Sequence, residues 1–164
     1  MVYNYGKLTT REANDESNHW RTRAMVQLLI GHKGSGKTNK MIQIANESIK
    51  TCDGSIIFIN KNHRLMYELS YRIRVICMED FEHITNIDEY IGFIYGIISS
   101  DHDIETILID SILKHADVSL GDLPEFIDRL KAISEIYGVD FVVSVSAEKE
   151  EMIGVNFDGC EILN

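Results

Sequence analysis

The feature that most constrains this chain is an abrupt change of pattern at Gly31. Ala24-Met25-Val26-Gln27-Leu28-Leu29-Ile30 is a short apolar run that stops there. Its length and sharp end predict a strand covered on both faces. A glycine-rich turn follows, from Gly31 to Gly36. Met41, Ile44, Ala45 and Ser48 then recur at helical spacing, with Ile42 and Ile49 beside them. That periodicity predicts a helix ending near Cys52-Asp53-Gly54. A buried strand, a tight turn and an amphipathic helix open a parallel crossover unit.

The alternation continues. Ser55 to Asn60 reads as a second buried strand, since Ile56, Ile57, Phe58 and Ile59 are all apolar. Leu65 to Tyr71 reads as a helical turn, and Arg72 to Ile76 alternates like an edge strand. Ile87, Tyr90, Ile91, Ile94, Ile97 and Ile98 form one helical stripe. Thr85 with Asp88, or Asn86 with Glu89, can cap its start. Thr106 to Ile109 is another buried strand, ending at Asp110. Asp122-Leu123-Pro124 opens a helix whose apolar face is Phe126, Leu130, Ile133 and Tyr137. Asp122 is expected to accept from a free backbone N–H, and Gly138 to end the helix. Phe141 to Ser146 and Glu161 to Leu163 complete the strands. The ordering implies an α/β fold, a parallel sheet with helices on both faces in three layers. Residues 1–23 are polar and without apolar period, and read as an N-terminal arm. Residues 24–164 read as one domain.

Composition narrows the function. The chain has 164 residues, 45% hydrophobic and 26% charged, enough to bury a core without staples. Sixteen Lys+Arg against 26 Asp+Glu give a formal net charge of −10. That balance argues against a surface dedicated to nucleic acid. The apolar runs are too short for a membrane helix, and no apolar leader is visible. Cys52, Cys77 and Cys160 show no CxxC spacing, so neither a zinc site nor a disulfide framework is expected. A reducing cytoplasm is the expected compartment.

The chemistry lies in Gly31-His32-Lys33-Gly34-Ser35-Gly36-Lys37-Thr38, which fits G-x-x-x-x-G-K-[ST]. Glycines there permit positive φ and close backbone approach. Successive N–H groups can then surround phosphate oxygens, beside the positive end of the following helix. Lys37 can reach the β- and γ-phosphates, and the Thr38 hydroxyl can ligate Mg²⁺. Asp110 ends a buried strand and so faces the crevice where ligands bind in such sheets. Its carboxylate is expected to hold the same Mg²⁺ through water.

On these two motifs the chain resembles a P-loop NTPase, with a compact RecA-like ATPase core over about residues 24–146. It also resembles small bacterial P-loop ATP-binding proteins, some labelled as relatives of twitching-motility ATPases. The large motility ATPases carry a further domain and acidic and histidine motifs that this chain lacks, so no motor function is expected. The resemblance implies MgATP as ligand. It also implies that Phe141 to Ser146 lies between the strands leading to Gly31 and to Asp110. Ser144 or Ser146 would then meet the γ-phosphate.

A catalytic glutamate is not evident. Relatives of this class place one after the Asp of the second motif, where Ser111 stands, or at the end of the neighbouring strand, where Asn60 stands. An amide can orient water but cannot take its proton. Glu105 and Asp140 fall at the wrong strand ends, while Glu148, Glu150 and Glu151 could serve if their loop folds back. The expected activity is slow or partner-activated ATP hydrolysis, with Asn60 and Ser144 or Ser146 orienting water. A protein partner or a second copy would supply an arginine. The alternatives are a small-molecule kinase and a non-hydrolysing nucleotide sensor. Arg129 is the only arginine after Arg74, which weakens the kinase reading. Asn60-Lys61-Asn62-His63 lacks the Asp of a guanine-reading motif. Asp101-His102-Asp103 reads as a solvated turn rather than a metal site. Lys61, His63, Arg64, Arg72 and Arg74 read as a solvated basic edge.

Overall fold

The structure is a computed structural model that describes residues 25–164. The arm at 1–23 and Ala24 lie outside the described residues. Six strands form one sheet: β1 (Val26–Gly31), β2 (Ser55–Asn60), β3 (Arg74–Cys77), β4 (Ile104–Ile109), β5 (Asp140–Ser146) and β6 (Cys160–Ile162). Three α-helices accompany them: α1 (Lys37–Thr51), α2 (Ile87–Ser100) and α3 (Leu123–Tyr137). The sheet order is β3-β2-β4-β5-β1-β6, and every pairing is parallel. The strand after Asp110 therefore lies between β4 and β1, with Ile107 opposite Phe141 and Leu28 opposite Val143.

Alternation of side chains along buried strands divides the core in two. Leu29, Ile56, Phe58, Leu108 and Val142 face α1, against Met41, Ile42, Ala45 and Ile49. Leu28, Ile57, Ile107, Phe141 and Val143 face the other way, against Ile91 and Ile94 of α2 and Phe126, Ile127 and Leu130 of α3. This is the expected arrangement, helices on both faces of a parallel sheet. Full burial of each large apolar side chain contributes about 1.5–3 kcal/mol. Among the described residues, no helix is long and apolar enough to cross a membrane.

Local signals explain most element ends. Asn86 caps α2 by accepting from the Glu89 N–H at 3.0 Å. Glu89 returns a carboxylate to the Thr85 N–H at 2.6 Å. Gly138 stops α3 in the left-handed region at φ 69. Three expectations are corrected. Asp122 does not cap α3; its carboxylate accepts from the Ser119 N–H and hydroxyl at 2.8 and 2.7 Å. It closes the short turn before the helix instead. Residues 65–71 form no longer helix; a 3₁₀ turn at His63–Leu65 is followed by turns. The edge strand is displaced, since it begins at Arg74 and runs to Cys77.

Candidate functional site

Parallel pairing aligns the C-terminal ends of the strands, so Gly31, Asn60, Asp110 and Ser146 gather at one rim of the sheet. The turn from Gly31 to Gly36 connects β1 to α1 there. Gly34 and Gly36 both have φ 86, a region costly for any side chain with a Cβ. The Ser35 N–H closes the turn on the His32 carbonyl at 3.2 Å. The first N–H groups of α1 have no intrahelical acceptor and point toward the rim.

Lys37 folds over this turn. Its ammonium donates to the Gly31 and His32 carbonyls at 2.7 and 2.8 Å and to Ser35 Oγ at 3.2 Å. Burial pushes its pKa down, Asp110 and Glu148 push it up, and Lys114 pushes it down. These four side chains therefore share one electrostatic environment. Lys33 and His32 stand exposed on the turn, and His32 Nδ1 lies 3.7 Å from the Glu148 carboxylate.

Thr38 and Asp110, 72 residues apart in sequence, meet directly. Thr38 Oγ1 lies 3.2 and 3.0 Å from the two Asp110 oxygens. Asp110 is only 5% exposed. Ser144, fully buried on β5, donates its hydroxyl to Asp110 Oδ1 at 2.7 Å. The Ser144 hydroxyl oxygen in turn accepts from the Ser111 N–H at 2.6 Å. Ser111 is thereby held at φ 60, a left-handed conformation rare for serine. Ser144 thus orients the carboxylate and holds the backbone beyond it. Ser146 ends β5 opposite Gly31, half-buried at the mouth of the turn. A hydroxyl and a carboxylate at this spacing are hard oxygen donors, which fit Mg²⁺ rather than a softer ion.

Asn60 ends β2, whose Ile59 is paired with Ile109, so it neighbours Asp110 at the rim. It is 2% exposed, and among the described residues its Oδ1 has no hydrogen-bond partner. Glu148 reaches the turn because Ala147 bridges back to Gly31. Glu105 and Asp140 lie at the opposite strand ends, where they accept from the Gly54 and Met25 N–H groups. Arg129 is bound to Asp88 and Glu125 at 2.5 and 3.3 Å. Asp101 accepts from Ser55 Oγ and the Asp103 N–H, which holds its carboxyl below the usual range and makes it part of a turn.

Two residues escaped the sequence reading. Lys114 sits on the 3₁₀ turn Ile112–Lys114, just beyond Asp110, and acts on Lys37. Nothing in its local sequence distinguishes it from a surface lysine. His115 is fully buried; its Nδ1 lies 3.0 Å from the Tyr90 hydroxyl. Its ring also feels the Asp110 backbone, while its Nε2 makes no hydrogen bond among the described residues. Burial, the largest cause, pushes its pKa down to about 4. An unfolded chain protonates this histidine below about pH 6.5, whereas the folded one resists until about pH 4. Stability from this group is therefore complete above pH 6.5 and falls as pH drops through that window. Urea titrations should show a loss of about 3 kcal/mol between pH 7 and pH 4, flattened in His115→Gln. An equal slope in wild type and variant would assign the acid sensitivity to other groups.

Comparison of the chain with family models and with curated proteins finds no match.

Proposed function

We propose that this protein is a P-loop nucleotide-binding protein of the RecA-like kind, taking MgATP as ligand, with slow or partner-activated hydrolysis. One observation carries the reading. A hydroxyl on the first turn after a glycine-rich loop meets a buried carboxylate at the end of the second strand over, at 3.0 and 3.2 Å. A hydroxyl and a carboxylate so paired serve metal-assisted phosphate binding. The supporting features are the positive-φ glycines, the lysine on the turn and the insertion of β5 between β1 and β4.

Each residue then has a role. The loop N–H groups and Lys37 hold the triphosphate, Lys37 moving from the loop carbonyls to the phosphate oxygens. Thr38 and Asp110 would hold Mg²⁺, which would neutralise phosphate charge. Ser144 holds Asp110, and the free amide oxygen of Asn60 can orient water. Glu148, which folds back to the loop beside His32, is the carboxylate that would take its proton. Lys114 adds positive potential, and an arginine from a partner or second copy completes the charge needed in transfer.

Asp110→Asn tests the reading. ATP affinity measured by calorimetry should rise on adding Mg²⁺ in wild type and lose most of that rise in the variant. The two proteins should bind alike in EDTA. An identical Mg²⁺ response would make Asp110 purely structural. Phosphate release measured with and without small hydroxyl acceptors then separates hydrolysis from phosphotransfer, and binding without either supports a sensor.

A further inference from the structure

His63, Cys77 and Asp80 converge at the rim beyond β2 and β3, apart from the phosphate loop. His63 stands on the 3₁₀ turn after β2, Cys77 ends β3, and Asp80 lies on the 3₁₀ turn Met78–Phe81. Their potential ligand atoms all lie within 4.8 Å of one another. His63 Nε2 is already 3.0 Å from Asp80 Oδ1. We propose that His63, Cys77 and Asp80 form a zinc site that clamps the loop after β2 to the end of β3.

Zinc bonds of about 2.0–2.3 Å in a tetrahedron separate ligand atoms by about 3.3–3.8 Å. The thiol and its partners are therefore at most about 1.3 Å too far apart, within reach of small side-chain rotations. A thiolate, an imidazole and a carboxylate are a donor set that selects zinc over Mg²⁺ or Ca²⁺. Burial, and after it the negative charges of Asp80 and Glu79, push the Cys77 thiol up, so zinc must displace its proton on binding. The two loops are held together beforehand, because the Glu79 N–H donates to the Lys61 carbonyl at 3.0 Å. The Asn62 side chain accepts from the Arg64 N–H at 3.1 Å and so fixes the turn that carries His63. The cluster supplies three protein ligands, which leaves the fourth position to water. The sequence hides this site, since 13 residues separate His63 from Cys77 and no CxxC pair announces it.

Metal binding to the full chain tests the inference without ATP. Demetallated protein is titrated with Zn²⁺ against a chromophoric chelator, in excess Mg²⁺, and separately with Co²⁺ in an absorbance cell. One zinc per chain is expected, together with a thiolate-to-cobalt charge-transfer band. Cys77→Ser, a near-isosteric change at a buried position, should remove the band and weaken zinc more than tenfold. His63→Ala and Asp80→Asn, at half-exposed side chains, should also weaken zinc more than tenfold. Cys160→Ser should leave both readouts unchanged, and circular dichroism should show all four variants folded. Absence of zinc binding would overturn the proposal. So would zinc retained at wild-type affinity in Cys77→Ser or His63→Ala, or a cobalt complex without the thiolate band.

Discussion

Lys37→Ala is expected to lower ATP affinity by about ten- to hundredfold while leaving the fold intact. A charged hydrogen bond to phosphate contributes about 1.5–3 kcal/mol, and each 1.4 kcal/mol is a factor of ten. In the structure the same ammonium is bonded to Gly31 O, His32 O and Ser35 Oγ, all within its own loop. Its removal should therefore change unfolding free energy by no more than about 1 kcal/mol. The loop would keep its shape through Gly34 and Gly36, which adopt φ 86 at no steric cost. Calorimetry on a folded Lys37→Ala protein gives the answer. Unchanged affinity would remove the phosphate-binding role from this loop.

The second large effect concerns turnover. The isolated protein should hydrolyse ATP well below about 1 s⁻¹, the lower end of ordinary enzymes. Neutral side chains, Ser111 and Asn60, stand where an acidic base is expected, and Arg129 is held by Asp88 and Glu125 away from the loop. Glu148 is 57% exposed and bonded within its own turn, so water competes for it. Lys114 is a single point charge and lacks the planar fork of an arginine. An arginine supplied in trans raises phosphoryl transfer by about 10³ to 10⁵, the increase expected on adding a cognate partner. Single-turnover measurements with purified, Mg²⁺-reconstituted protein should show ATP persisting for many minutes. Turnover above about 1 s⁻¹ that Lys37→Ala abolishes would sink this expectation. Glu148→Gln would then show whether that residue is the base.

The two ends of this fold were unequally legible. The strand preceding Gly31, the helix stripe of Ile87 to Ile98 and the Gly138 stop follow from local pattern, and their structures match. The segment 61–78 did not follow, because its short turns carry neither a helical nor a strand period. Its three-residue turn at His63–Leu65 is set by the Asn62 side chain and by the bond from the Glu79 N–H to the Lys61 carbonyl just before it, not by propensity. Asp122 shows the limit of capping rules. Two adjacent turns compete for one carboxylate, and the nearer Ser119 N–H and hydroxyl win it.

By itself the sequence determined the alternation of buried strands with amphipathic helices, the glycine-rich motif from Gly31 to Thr38 and the carboxylate at a strand end. Each is written in neighbouring residues, where periodicity, glycine and chain punctuation act over a few positions. Only the tertiary structure decided which distant groups meet. It joined Thr38 to Asp110, set Ser144 behind that carboxylate, folded Glu148 back to His32 and buried His115 beneath Tyr90. It also brought His63 to Asp80 across 17 positions. The physical reason is that parallel crossovers align strand ends from remote parts of the chain at one rim. Strand order and register set those pairings, and no local window of residues carries them.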